Sequence, residues 1–117
     1  MYHDKILKHY AIAALWSSTD DDGEPLDAVY SIDDISATTY GQMSEDVLQF
    51  IKANEGLLIA SGLTDEQIGH EFWLTRNGHG AGFWDRGLGE VGNKLTRACI
   101  AFGLVDLYVG DDGLIYS

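Results

Sequence analysis

Apolar residues Ile6, Leu7, Tyr10, Ala14 and Leu15 recur at three- and four-residue spacing near the start of the chain. That rhythm predicts an amphipathic helix over Tyr2–Ser17, helped by the strong helix formers Ala11 and Ala13. The polar run from Ser18 to Pro25 stops it. Leu26, Ala28 and Tyr30 then alternate with Asp27 and Ser31, which predicts a short strand or extended arm over Leu26–Ile32 with Pro25 at its start. Ser36 is placed to cap a second helix reaching about Ala53, with Tyr40, Met43, Val47, Leu48, Phe50 and Ile51 on a wide apolar face and Gly41 as its weak point. The cluster Leu57-Leu58-Ile59-Ala60, within Asn54–Gly62, predicts a further helical turn.

Thr64 and Gln67 have capping-box spacing. Asp65 and Glu66 follow where a helix macrodipole favours anions, so a third helix is predicted to run to about Arg76 with Ile68, Phe72 and Trp73 inward. Asn77–Gly89 is a connection with five glycines, pinned by Phe83 and Trp84. Glu90–Phe102 predicts a fourth helix, with Val91, Leu95, Ala98 and Phe102 inward and Gly103 as its C-cap. Val105–Val109 alternates, Gly110-Asp111-Asp112-Gly113 turns and Leu114–Tyr116 returns, which is a hairpin. A hairpin alone is marginal and needs the helices, with Leu26–Ile32 as a candidate third strand. The fold expected is therefore α+β: about four helices packed on a small antiparallel sheet that includes the C-terminal hairpin. Residues 1–117 form one domain, as the length favours.

Composition narrows the function classes. An apolar share of 45% is that of a globular chain. A lone cysteine, Cys99, excludes an internal disulfide framework and a cysteine-rich zinc site and fits a reducing cytosol. No apolar run approaches the ~18 residues of a membrane helix, and Met1–Lys5 opens a helical pattern, not a signal peptide. The net charge is −12, and its placement is the most informative feature. Residues 20–71 hold thirteen acids against Lys52 alone, while the acids and bases elsewhere balance. The chain should be repelled by nucleic acid and by anionic membranes. One reading of the segregated charge is plain solubility. The other is an extended negative surface, given that the pairs Asp33-Asp34, Glu45-Asp46 and Asp65-Glu66 recur in three segments.

The run Gly69–Gly87 mixes glycine, histidine, arginine, aspartate and tryptophan. His70, His79 and Asp85, with Glu71, offer metal-ligand chemistry, but their spacing matches no compact motif, and His70-Glu71 lacks the second histidine of H-E-x-x-H. Gly78–Gly82 near Arg76 and Arg86 offers backbone amides to an anion, but it follows a helix and is neither a Walker loop nor a dinucleotide fingerprint. A Cys99 nucleophile is opposed by its apolar helical setting. The structural alternative makes the glycines a tight connection, Trp73, Phe83 and Trp84 anchors, and Arg76, Asp85 and Arg86 an ion network; Trp84 is alternatively a surface anchor for a partner. Asp20-Asp21-Asp22 lacks the ladder of a calcium loop.

The run Phe72-Trp73-Leu74-Thr75-Arg76-Asn77-Gly78-His79-Gly80-Ala81-Gly82-Phe83-Trp84-Asp85-Arg86, with Leu107-Tyr108-Val109-Gly110-Asp111-Asp112-Gly113, resembles a widespread family of small acidic phage and prophage proteins. Leu15-Trp16 and Gly23-Glu24-Pro25-Leu26-Asp27 are similar to it as well. The resemblance carries no established activity. It implies expression in the cytoplasm of an infected bacterium, where small acidic phage proteins often inhibit defence nucleases by imitating DNA. The expectation is a non-enzymatic inhibitor, without cofactor or metal, of a basic host protein or nucleoprotein complex of the CRISPR or restriction kind. Asp20, Asp21, Asp22, Glu24, Asp27, Asp33, Asp34, Glu45, Asp46, Asp65 and Glu66 would pair with lysines and arginines that otherwise hold phosphates. The alternative is a small enzyme or a metal- or phosphate-binding domain using His70, Arg76, His79, Asp85 and Arg86. Oligomerisation through Trp84 and its aromatic neighbours is a third.

Overall fold

A computed structural model describes residues 1–79 and 82–117. Among these residues the chain is mostly helical, with four α-helices and a two-stranded antiparallel sheet near the C-terminus. The helices are α1 (His3–Ser17), α2 (Ala37–Ser61), α3 (Asp65–Arg76) and α4 (Glu90–Ile100), and the strands are β1 (Tyr108–Val109) and β2 (Ile115–Tyr116).

Helices α1 and α3 lie side by side and parallel. The Tyr2 backbone N–H donates to Asp65 Oδ2 at 3.0 Å at one end, and the Trp73 indole N–H donates to Ser17 Oγ at 2.7 Å at the other. Gly69 permits this approach, since a Cβ there would strike the Ile6 carbonyl oxygen and sit 2.8 Å from the Tyr10 nitrogen. The predicted inward faces of both helices are buried, including Ile6, Leu7, Tyr10, Ala14, Leu15, Ile68, Phe72 and Trp73. Against them α2 lays Met43, Val47 and Phe50, and the Phe50 and Phe72 rings stack with centroids 4.1 Å apart. Phe83, Leu95 and Cys99 close the core from the other side. Each fully buried large apolar side chain contributes roughly 1.5–3 kcal/mol.

The predicted caps are present. Ser36 Oγ accepts from the Thr39 N–H at the start of α2, and Thr64 and Gln67 form the capping box of α3. The second helix is longer than its pattern predicted. It runs through Asn54, which has non-helical dihedrals and bonds its own side-chain amide to the Phe50 carbonyl, and continues as the predicted Leu57–Ala60 turn to Ser61. The fourth helix ends at Ile100, two residues before the predicted limit, and Gly103, at φ +81°, closes the following turn through its N–H to the Ile100 carbonyl.

The predicted strand over Leu26–Ile32 is absent. Two short 3-10 turns, Leu26–Ala28 and Ile32–Asp34, stand in its place. The Leu26 carbonyl accepts from the Val29 and Tyr30 amides, and Asp34 Oδ2 accepts from the Ser31 N–H at 2.8 Å. Local bonds of this kind compete with a ladder, and here they win. The hairpin pairs Tyr108 with Tyr116 and Val109 with Ile115, and it is shorter than the predicted Val105–Val109 arm. Its only further ladder contact among the described residues is a parallel bridge from Ile35 to Ile115.

Candidate functional site

Thr19 bridges Pro25 just after α1 ends, and the chain between them folds into a tight turn. Asp20 organises it: Oδ1 accepts from the Asp22 N–H at 2.9 Å and the Glu24 N–H at 3.0 Å. Gly23, at φ +82°, supplies the left-handed residue that the turn requires. Leu26 is buried and nails the segment down. Asp34 holds the second turn in the same way, and Ile35 is the next buried anchor. The outcome is a division of labour among the seven acids of Asp20–Asp34. Asp20 and Asp34 are half-buried and bind backbone amides, while Asp21, Asp22, Glu24, Asp27 and Asp33 project into solvent. None of the seven has a basic partner among the described residues.

The other acids expected to share that surface do not gather with it in one way. Glu45 is exposed on α2. Asp46, one residue on, pairs with Arg76. Asp65 accepts from the Tyr2 N–H, and Glu66 faces Lys5 at 3.5 Å, a half-exposed pair of small energetic weight. Among the described residues, only 20–34 form a continuous acidic stretch without an ion pair.

Two grooves border that stretch. One, of about 610 Å³, lies between α1 and the Asp27–Asp33 chain. Ile12, Leu15, Tyr30, Ile32 and Tyr40 give it an apolar lining, and Asp4, Lys8, Asp27 and Asp33 the charged part. The second, of about 390 Å³, runs between Asp20-Asp21-Asp22 and the hairpin residues Leu107, Tyr108 and Val109. Tyr30 lines both and so joins them. Asp4 and Ile12 escaped the sequence reading because they belong to a helix outside the acidic stretch. The exposed Ile12, one turn beyond Lys8 on the polar side of α1, was the available signal.

Of the five residues of the ligand-site alternative, His70 and Arg86 come together in one groove, while Arg76, His79 and Asp85 lie apart from them. Arg76 is buried: Nε and Nη2 donate to the Gly103 and Phe102 carbonyls at 2.9 Å, and Nη1 donates to the Tyr10 hydroxyl at 3.0 Å and Asp46 Oδ2 at 2.9 Å. Its guanidinium carbon lies 5.7 and 5.6 Å from the Phe72 and Phe102 ring centroids. Arg86 donates to Glu71 Oε1 at 3.1 Å and shares a small groove with His9 and His70. His70 packs against the Trp16 ring at 5.8 Å. His79 lines a different groove, with Trp73 and Asp106. Asp85 is exposed and has no ion pair among the described residues, so the expected network of Arg76, Asp85 and Arg86 is instead two separate pairs, Arg76–Asp46 and Arg86–Glu71.

Within the glycine run, Gly80 and Ala81 lie outside the described residues, and with them the middle of the anion loop expected at Gly78–Gly82. Among the described residues no three metal-ligating side chains gather, and no helix is long and apolar enough to cross a membrane. Phe83 is the anchor expected, whereas Trp84 is 43% exposed. Cys99 is fully buried, and burial pushes its thiol far up, so it is not a nucleophile in the folded chain. Burial likewise raises Tyr10 to about 12 against the opposing pull of Arg76.

Comparison with family models, with curated proteins and with solved structures gives no match to this chain.

Proposed function

We propose that the protein is a non-enzymatic acidic binding protein that docks on a basic, nucleic-acid-handling complex and blocks it. The observation that carries this reading is the Asp20–Asp34 segment: five solvent-facing carboxylates held on three ordered turns, none of them in an ion pair among the described residues. Ordered turns reduce the entropy lost when the charges meet a partner. Clustered charge of one sign also speeds encounter with a surface of the opposite sign. A duplex presents one charge per ~1.7 Å of axis, and a protein groove built for it is lined with cations that an acidic surface can engage. The resemblance to small acidic phage proteins supports a host defence nuclease, of CRISPR or restriction type, as the partner, and the bacterial cytoplasm as the setting.

The partner residues are then Asp21, Asp22, Glu24, Asp27 and Asp33, with Asp20 and Asp34 shaping the turns. A fluorescent target duplex bound to each of a panel of purified bacterial DNA-targeting nucleases tests it. The folded protein should displace the duplex from at least one, and a variant with those five residues changed to Asn or Gln should not. Displacement by the neutralised variant as effective as by the native chain refutes the reading.

A further inference from the structure

The groove between α1 and Asp27–Asp33 has a feature that imitation of a phosphate backbone does not require: an apolar floor. Ile12 is 39% exposed on α1, where Ile6, Leu7, Tyr10 and Leu15 are buried, and Tyr30, Ile32 and Tyr40 are only partly covered. At about 610 Å³ the groove is within the ~300–1,000 Å³ span of sites that hold drug-sized groups. Around this floor stand three carboxylates, Asp4, Asp27 and Asp33, against one ammonium, Lys8. An apolar floor with a negative rim selects a ligand that is both apolar and cationic.

We propose that this groove seats a short basic peptide segment of the protein partner. One bulky apolar side chain packs on Ile12, Tyr30 and Tyr40, and lysine or arginine residues on either side reach Asp27, Asp33 and Asp4. This rests on the docking reading above and gives its partner a chemistry. Charge argues against the other occupants. Anionic lipid and nucleic acid meet the negative rim, and a second copy of this chain brings a net charge of −12 to it.

The test is an NMR titration of the 15N-labelled full chain with three blocked pentapeptides: Lys-Arg-Trp-Arg-Lys, Lys-Arg-Ala-Arg-Lys and Glu-Glu-Trp-Glu-Glu. The first should shift the amides of Ile12, Leu15, Tyr30, Ile32 and Tyr40. The alanine-centred peptide should bind at least about tenfold more weakly, which is the value of one buried bulky side chain, and the acidic peptide should leave the spectrum unchanged. Ile12→Glu, at a position 39% exposed on α1, should abolish the shifts while leaving the rest of the spectrum native, and Asp27→Asn with Asp33→Asn should weaken binding several-fold. Equal affinity for the tryptophan and alanine peptides, shifts outside the groove, or binding of the acidic peptide overturns the proposal. So does self-association relieved by Ile12→Glu, which assigns the groove to a second copy. Failure of the peptide alongside intact duplex displacement removes this inference only. Peptide binding without displacement from any nuclease supports the groove and removes the nuclease-blocking reading.

Discussion

Arg76 Nη1 donates to Asp46 Oδ2 at 2.9 Å, with the arginine side chain 3% and the aspartate side chain 17% exposed. The same guanidinium binds the Tyr10 hydroxyl on α1 and the carbonyls of Phe102 and Gly103 after α4. One side chain of α3 thus ties all four helices together. Asp46 is committed to the interior and is not free for a partner. Removing Asp46 leaves a buried guanidinium without its counter-charge, and removing Arg76 takes the donor from Asp46, the Tyr10 hydroxyl and two carbonyls at once. Arg76→Ala and Asp46→Ala should each lower stability by ~3–5 kcal/mol, read from urea denaturation. Arg76→Lys should rescue little, because an ammonium cannot reproduce the planar fork. A loss below ~1 kcal/mol in both alanine variants would show that the pair is a surface bridge in solution.

Two glycines on helices should respond in opposite directions. At Gly69 a methyl group would press on the backbone of α1, so Gly69→Ala must separate α1 from α3. A loss of ~1–3 kcal/mol is expected, as for overpacking generally. Nothing lies within 4 Å of a Cβ at Gly41, on the exposed side of α2. There alanine's better helix propensity should act alone and stabilise by ~0.5–1 kcal/mol. Thermal unfolding of the two variants checks the contrast, and destabilisation by Gly41→Ala would contradict it.

Alkaline pH should unfold the protein partly through Tyr10. Its hydroxyl ionises near the ordinary ~10 when unfolded but at about 12 in the folded state, chiefly because it is buried. A raised folded value means that stability is fully present below pH ~10 and falls as pH rises to about 12, by roughly 2–3 kcal/mol. Cys99 adds a loss of the same sign, since burial raises its thiol too. Urea midpoints between pH 9 and 12 should fall less steeply for Tyr10→Phe than for the native chain, even though the variant starts lower for want of a partner to Arg76. Parallel curves would contradict the assignment.

The helices were legible because each carries a local signature: Ser36 and the Thr64–Gln67 box at two starts, and an apolar stripe on each of the four. Leu26–Ile32 misled because alternation along a few residues looks the same whether the chain is extended or turning. The decisive interactions there are side chain to backbone, from Asp34 to Ser31 and from Asp20 to Asp22 and Glu24, and a period-two pattern does not register them. Charge counting found the acidic stretch but not its divisions. Asp46 and Arg76 are thirty residues apart, and only the packing of α2 on α3 reveals that one acid is already neutralised. The groove was hidden for the same reason, since Ile12 and Tyr30 are joined by the fold and not by a motif.

Whether Asp21, Asp22, Glu24, Asp27 and Asp33 carry the proposed recognition is decided by the association rate constant with any nuclease from which the protein displaces a duplex, followed against ionic strength. For the native chain the rate should fall steeply as salt rises through the range in which the screening length shrinks to ~8 Å. The variant with all five neutralised should associate slowly and with almost no salt dependence, while Glu45→Gln with Glu55→Gln, two exposed acids of α2 outside those turns, should keep most of the native slope. A native rate indifferent to salt, or a neutralised variant that associates as fast as the native chain, would contradict recognition through the Asp20–Asp34 turns.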